Sequence, residues 1–231
     1  INARRGIELL PYVTGRQAGR STPERPNPTG TGGLDLRMGV AFTERFSVRE
    51  EAGVRLEGDA LHGKALMALD ALGADFLQVA LADDAVAVVR GDAAGLEATR
   101  LVTLDVTRDT AELVFDGVAP ERIYPDVGAA LDRSLDAGRV ALAADALGAC
   151  ESMLEQAVAY AQQREQFGRP IGSFQAVKHL CAEMVAEIEP ARSLLWYAAH
   201  AFDALPDEAP QLACHVLAHV SEIARGIAST A

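Results

Sequence analysis

Apolar positions recur at intervals of three and four through the second half of the chain, the periodicity of α-helices with one buried face. The first run breaks at Pro170 and Gly172, a second helix is predicted to begin near Ser173, and a third follows a turn at 204–207. Pro190 is expected to kink the second helix or to mark a boundary, because it removes one backbone donor. The apolar positions are Leu147, Cys150, Leu154, Val158 and Ala161 in the first run, Leu180, Met184, Ile188, Ala191, Leu195, Ala198 and Phe202 in the second, and Leu212, Val216, Val220, Ile223 and Ile227 in the third.

The first half of the chain has a different texture, with short alternating segments rich in β-branched residues. Six strands are predicted, at 36–43, 54–57, 76–81, 85–90, 101–106 and 112–118. Strands of this length and spacing favour a small antiparallel barrel or sandwich. The predicted fold class is therefore α+β, with an antiparallel β-barrel or sandwich domain followed by an antiparallel α-helical bundle.

Three segments follow from this division of the chain. Residues 1–33 form an N-terminal remnant and a loop rich in Pro and Gly, residues 34–125 form the β-domain, and residues 126–231 form the helical bundle domain. The last helix is still running at Ala231, so the bundle is expected to be incomplete at its C-terminal end and to need a further helix. Ile1 is not a methionine, and sequence is expected to be missing there too.

Charge and cysteine content narrow the function classes. The 231 residues include 21 Lys and Arg against 33 Asp and Glu, a net charge of −12, which argues against nucleic acid or an anionic membrane surface as the main partner. No apolar run approaches about 18 residues, so no membrane insertion is predicted and a cytoplasmic location is the default expectation. Three widely spaced cysteines in helical segments suggest buried, reduced thiols.

Candidate chemistry concentrates at the break between the first two helices. The string Arg-Glu-Gln-Phe-Gly-Arg-Pro-Ile occupies 164–171, and Phe174 and Gln175 follow it. A cation near a helix C-terminus is ordinary, and Gly with Pro ends a helix without further help. Alternatively, the permanently charged, forked guanidinium of Arg164 suits a dinucleotide phosphate.

The whole string resembles the signature of the acyl-CoA dehydrogenase family, at the turn between the first two long helices of its C-terminal domain. The resemblance implies that FAD is the cofactor and that this turn crosses a subunit interface. It implies that Arg164 and Gln166 reach the pyrophosphate end of the FAD held by the neighbouring subunit, and that Phe167 packs beside the cofactor. Gln175, which follows the string, and Thr43, in a Thr-Glu segment resembling the flavin-contacting one of the family, complete the expected cofactor-binding set.

Two departures from the family pattern weaken the flavin site on this chain. The Pro and the Gly-Ser-Asp loop expected after Thr43 are replaced by an unrelated sequence at 45–50. The segment 63–75 resembles the hairpin that follows in the family, yet its residues 65–68 are Ala-Leu-Met-Ala where the family places a Trp and a Thr or Ser against the flavin. Apolar side chains donate no hydrogen bond to a flavin ring.

No residue of this chain is predicted to be catalytic. In the family, a Glu base stands either late in the helical domain or on its first helix, and the second place corresponds here to Gly138. Asp132 and Asp136 lie nearby, but they also suit the electrostatics of a helix N-terminal turn. No metal site is predicted.

A polar stripe of His215, His219 and Glu222 on the last helix could surround a metal. The stripe lacks the order of a zincin motif, so packing at an interface is the preferred interpretation.

These observations support three functional hypotheses. The first is a partner subunit in FAD-dependent dehydrogenation of acyl-CoA thioesters, in fatty acid or sterol side-chain β-oxidation, which supplies Arg164, Gln166 and Phe167 to FAD across the interface. The second is a self-sufficient acyl-CoA dehydrogenase whose catalytic Glu lies in missing C-terminal sequence, and the third is a flavin-free helical interaction subunit. The expected partners are the acyl-CoA substrate, a homologous acyl-CoA dehydrogenase subunit in a homo- or heterotetramer, and electron-transfer flavoprotein as acceptor.

Overall fold

The computed structural model describes residues 37–42, 52–105 and 109–231. These described residues fall into two compact units, and the boundary between the units follows Ala129. Thr43 and the replaced loop at 45–50 lie outside the described residues. No helix in the described part of the chain is long and apolar enough to cross a bilayer.

A mixed sheet forms the core of the first unit. Within the described residues it has eight strands in the order β6-β7-β3-β1-β4-β5-β8, with β2 paired to β3. The strands are β1 (Met38–Ala41), β2 (Gly53–Glu57), β3 (Ala60–Leu69), β4 (Phe76–Ala80), β5 (Val86–Arg90), β6 (Leu96–Arg100), β7 (Thr110–Val118) and β8 (Arg122–Tyr124). The helices that follow this sheet confirm the α+β class. The sheet is not closed into a barrel, and β1 pairs with β4 in parallel, where antiparallel pairing was expected.

One predicted strand is wrong and two strands were missed. The prediction at 101–106 fails because β6 lies earlier, at Leu96–Arg100, where it pairs along β7 from Phe115 to Ala111. Its partner strand begins at Thr110, so residues 102–105 have no ladder to join, and Val102 and Leu104 are fully exposed. β3 and β8 were not predicted as strands.

Three helices form the core of the second unit, α1 (Gly128–Gln163), α2 (Gln175–Ala204) and α3 (Ala209–Thr230). Their buried faces meet in one cluster, as the periodicity predicts. The buried members are Ala143, Leu147 and Cys150 from α1, Met184, Ile188, Ala191 and Ala198 from α2, and Val216, Val220, Ile223 and Ile227 from α3. Pro190 does not end α2, which continues through it to Ala204.

Polar contacts fix how α2 packs against α1. The Arg192 guanidinium lies 2.5 Å from the Glu151 carboxylate of α1 and 3.2 Å from Glu189 on its own helix. Nearer the start of α1, Arg133 donates a hydrogen bond of 3.0 Å to the carbonyl of Phe202 and lies over its ring at 4.2 Å. Both contacts hold the two helices in a fixed register, and this register places the connection between them.

Candidate functional site

The connection between α1 and α2 is a small β-hairpin. The Arg164 N–H donates to the Tyr160 carbonyl at 2.9 Å, which completes the last turn of α1. Strand β9 (Glu165–Gln166) then pairs with β10 (Arg169–Pro170), and the Ile171 N–H closes the base of the hairpin on the Arg164 carbonyl at 2.8 Å. The sequence predicted a break here and missed the hairpin.

The hairpin turns at two residues with left-handed backbone. Phe167 has φ 54° and Gly168 has φ 76°, the signs that a two-residue type I′ turn requires at both central positions. Glycine takes this conformation freely, whereas an L-residue with a Cβ loses about 1–2 kcal/mol there. A bulky aromatic at the first central position is therefore held against its own backbone preference.

The predicted cofactor-binding residues of this region all face outward. Phe167 is 91% exposed at the tip, and Arg164, Gln166 and Gln175 are also exposed. The Arg164 side chain makes no ion pair with any residue that the structure describes. The structure thus gathers a guanidinium, a carboxamide and an aromatic ring on one exposed hairpin, with the Gln175 amide at the start of the next helix.

Gly172 allows the hairpin to lie close to the end of α1. A Cβ at this position would stand 2.9 Å from the Ala161 carbonyl oxygen, closer than van der Waals contact permits. The residue belongs to a short 3-10 helix, Ile171–Ser173, that leads into α2. The absence of a side chain at Gly172 therefore allows the segment after the hairpin to pack closely against the end of α1.

Phe174 stands beneath the hairpin. Its ring meets that of Phe167 edge to face, with centroids 6.0 Å apart at 83°, and the Arg169 guanidinium lies over it at 4.1 Å. On the first turn of α2, the Gln175 amide lies 3.1 Å from a ring nitrogen of His179. Neither Arg169 nor Phe174 was predicted to contribute to the site, although their places on either side of Pro170 could have suggested it.

A second unusual backbone lies in the sheet, at the segment where the family carries flavin-facing polar groups. Strand β3 has a bulge between Ala65 and Ala68, so that Leu66 and Met67 oppose the single residue Glu112 of β7. Met67 has φ 56° and is 53% exposed. Its thioether sulfur is at best a weak acceptor and donates no hydrogen bond.

The start of α1 offers no evident base. Asp136 is buried and paired with Arg139 one turn along the helix, so its carboxylate already has a partner. Asp132 is exposed and also has a partner. Gly138 is exposed, and a Cβ there would meet nothing within 4 Å. Within the described residues, no group of three or more His, Cys, Asp or Glu could hold a metal ion.

The exposed side chains of the hairpin are of types that bind a dinucleotide cofactor such as FAD. A guanidinium without an ion pair to the described residues suits a pyrophosphate, the two carboxamides offer both donors and acceptors, and an exposed aromatic ring suits a flavin or adenine face. All four side chains are exposed, so they would serve a cofactor bound outside this unit. The residues present therefore fit the cofactor.

A mixed sheet unit followed by a helical unit gives the chain an α+β fold that is similar to solved structures of acyl-CoA dehydrogenases. The sequence profile of the acyl-CoA dehydrogenase C-terminal domain matches residues 128–231. The second unit of the chain is therefore similar, over its whole length, to the C-terminal domain of the acyl-CoA dehydrogenase family.

Individual relatives agree with this assignment. Acyl-CoA dehydrogenase IpdE2 of Mycobacterium tuberculosis (strain ATCC 25618 / H37Rv) is 43% identical over 101 residues, 44% of this chain and 30% of that protein. Glutaryl-CoA dehydrogenase from Mycobacterium smegmatis superposes with a TM-score of 0.70 at 28% identity, over 84% of this chain and 56% of that one. A variant of the Tcur3481-Tcur3483 steroid ACAD superposes at 0.65 and 32% identity, over 83% and 56%. The chain thus spans less than a third of the curated relative and just over half of each solved structure.

Proposed function

We propose that this chain is the partner subunit of an FAD-dependent acyl-CoA dehydrogenase, in which it supplies Arg164, Gln166 and Phe167 to FAD across a subunit interface. The observation that carries the proposal is the exposed type I′ hairpin, which presents a strained, 91% exposed aromatic at its tip and the exposed Arg164 and Gln166 before it. Left-handed backbone at a bulky residue is a feature of functional sites, where the surroundings hold the strain in place. An interface would also remove the Phe167 ring from water.

Each residue has a defined task in this proposal. Arg164 holds a pyrophosphate through the two parallel N–H groups of its fork, and Gln166 adds a donor from β9. Phe167 covers the cofactor and excludes water from its edge, while Gln175 extends the polar rim from the first turn of α2. FAD, when bound, supplies the acceptor for the hydride removed from the acyl chain. Thr43, which lies outside the described residues, is proposed as a further contact.

Two features favour a partner role over a self-sufficient enzyme. The bulge of β3 presents Leu66 and Met67 where a donor to the flavin is expected, and neither side chain carries one. Gly138 occupies the place of a possible base on α1, and a glycine cannot take a proton. We therefore propose that the base and the complete flavin site belong to a homologous chain in a heterotetramer, the homotetramer being the alternative arrangement.

The remaining parts of the proposal concern substrate and acceptor. An acyl-CoA thioester, of fatty acid or sterol side-chain type, is the proposed substrate of the assembly, and electron-transfer flavoprotein the proposed acceptor. The similarity to a structure described as a steroid ACAD with two named chains supports the sterol class and the pairing of unlike subunits. We place the assembly in the cytoplasm.

The test is purification of the chain with whatever associates with it, followed by the absorbance spectrum and the mass of each chain. A flavin band near 450 nm is expected only in a complex that contains a second, different chain. The chain purified by itself as a yellow, active homo-oligomer would contradict the partner role.

A variant series then assigns the contact. Arg164→Ala is expected to lower the FAD affinity of the assembly roughly tenfold to a hundredfold, since charge-assisted hydrogen bonds to phosphate are lost. Arg164→Lys keeps the charge without the forked guanidinium, so its FAD affinity should lie between those of the wild type and Arg164→Ala. Arg225→Ala is the matched control, because that exposed arginine pairs with Glu222 of its own helix, α3. An Arg164→Ala assembly with unchanged FAD content would favour the flavin-free interaction subunit.

A further inference from the structure

Phe174 occupies a position where its side chain does not cap the helix that follows. It is the N-cap of α2, with extended backbone at φ −81° and ψ 137°, and it makes no side-chain hydrogen bond to the helix start. Ser, Thr, Asp and Asn are the residues that stabilise a helix at this position, because their oxygens accept from the first free N–H groups. Phe174 provides no such oxygen and places a half-buried aromatic ring there instead.

The ring of Phe174 is instead engaged by the hairpin on both sides of the turn. The Phe167 ring, from the tip, meets it edge to face with centroids 6.0 Å apart, and the Arg169 guanidinium, from β10, lies over it at 4.1 Å. The backbone of Phe174 is itself anchored, since its N–H donates to the Ile171 carbonyl at 3.0 Å. The platform, meaning the Phe174 ring with Arg169 upon it, thus connects the hairpin tip to the start of α2.

The hairpin needs such a support. Its ladder comprises only two residue pairs, Arg169 with Gln166 and Pro170 with Glu165, and a two-stranded hairpin is at best marginally stable alone. Phe167 adds left-handed strain at the tip. Without a contact beneath it, the turn could relax to other conformers, and the ring would lose its defined direction.

We propose that Phe174, with Arg169 over its ring, is a positioning residue that fixes Phe167 in the orientation used at the subunit interface. The inference rests on the proposed function, because the purpose of the orientation is the contact of Phe167 with the partner's FAD. Phe174 acts through Phe167 and touches no cofactor itself. Preorganisation of this kind raises affinity by reducing the ordering needed on binding.

Phe174→Ser is the decisive variant, because a helix-capping role and a positioning role predict opposite results. Serine is a favourable N-cap, so a residue important only for the helix start would be improved by it. The positioning role predicts that hydrogen exchange of the amides in 165–171 becomes about tenfold faster in the free chain. It also predicts FAD affinity about tenfold lower in the assembly, from the lost ring and cation contacts.

Conservative variants complete the design. Phe174→Tyr keeps the ring and is expected to restore both readouts to within about twofold of wild type, since the edge-to-face contact remains. Arg169→Lys retains a cation over the ring, whereas Arg169→Gln removes it and should reproduce part of the loss. Phe174→Leu, which keeps apolar volume without a π face, replaces the Ser variant if that one unfolds.

The outcomes separate this inference from the proposed function. Phe174→Ser with unchanged exchange in 165–171 overturns the positioning role, whatever happens to FAD. If Phe167→Ala lowers FAD affinity while Phe174→Ser does not, the proposed function stands and the positioning role is overturned. If Phe167→Ala leaves FAD affinity unchanged, the proposed contact of Phe167 fails, and the inference fails with it. The positioning role is supported if Phe174→Ser gives faster hydrogen exchange and weaker FAD binding, and if Phe174→Tyr restores both.

Discussion

The hairpin between α1 and α2 and the bulge of β3 share one backbone feature and differ in what surrounds it. Phe167 and Met67 are both bulky, exposed residues with left-handed backbone, at φ 54° and φ 56°. Around Phe167 stand the platform of Phe174 and Arg169, together with the exposed Arg164 and Gln166. Around Met67, the neighbours along β3 are the buried Ala65 and Ala68.

The difference shows that strained geometry and site chemistry are separable. The bulge is set by the pairing of β3 with β7, which skips from Ala65 opposite Leu113 to Ala68 opposite Ala111 whatever side chain stands between. The bulge leaves Met67 exposed, and its thioether donates no hydrogen bond. At the hairpin, geometry and chemistry occur together, so this is the region on which we base the function.

The largest expected contrast between the two regions is in cofactor binding. Phe167→Asn should lower the FAD affinity of the assembly about tenfold, because the aromatic contact is lost while the turn is kept. Met67→Asn at the bulge should leave FAD affinity within about twofold, as no contact through Met67 is proposed. Isothermal titration with FAD measures both. A larger effect at Met67 would place the flavin site in the sheet of this chain.

The base of the hairpin, where two backbone segments lie close together, should tolerate an added Cβ less well than an exposed helix surface does. Gly172→Ala brings a Cβ to 2.9 Å from the Ala161 carbonyl and should lower the free energy of unfolding by about 1–3 kcal/mol. Gly138→Ala, with nothing within 4 Å, should raise it by about 0.5–1 kcal/mol through helix propensity. Urea denaturation of the two variants checks the opposite signs. A destabilised Gly138→Ala would mean that its surface is already covered.

Substitution by Asn should change the free energy of unfolding differently at Met67 and at Phe167, the two residues with left-handed backbone compared above. Asn tolerates left-handed backbone, so Met67→Asn should gain about 0.5–1 kcal/mol in the free energy of unfolding. Phe167→Asn relieves similar strain but loses the Phe174 contact, and the two should cancel to within about 0.5 kcal/mol. Parallel denaturation curves decide this. Equal gains at both positions would show that the ring contact contributes nothing.

The smallest effect concerns a thiol in the helical core. Burial, with a smaller contribution from the carboxylates of Glu151 and Glu187, raises the pKa of Cys150 above its ordinary value. The unfolded chain therefore loses this proton first, and a modest part of the stability is lost as the pH rises above about 8.5.

Iodoacetamide labelling checks this, with the exposed Cys214 as the internal control. Cys214 should react quickly and Cys150 only through opening of the helical unit, so that Gly172→Ala speeds labelling of Cys150 and Met67→Asn does not. Rapid labelling of Cys150 in the native chain would contradict its burial.

The residue pattern predicted most of the helix positions and core residues of the second unit. Spacings of three and four placed the three helices within a few residues and identified most of the core, because a helix that packs on one side needs that period. Leu180 is an exception, since it lies 46% exposed near the start of α2, where the bundle face is uncovered. The string at 164–171 identified the site region, because the residues that carry the family resemblance are also the ones proposed to bind the cofactor.

The sequence by itself determined the α+β class, the periodic helices and the family signature, since these depend on local period and residue type. The tertiary structure decided the parallel pairing of β1 with β4, the place of β6 and the platform under Phe167. Strand partners depend on which distant segments meet, and residues without a facing strand have no ladder to join, as 102–105 show. The turn at Phe167 is the intermediate case: its Gly and the Phe174 ring that supports it are both close in sequence, but the contact between the two rings is not visible in the residue pattern.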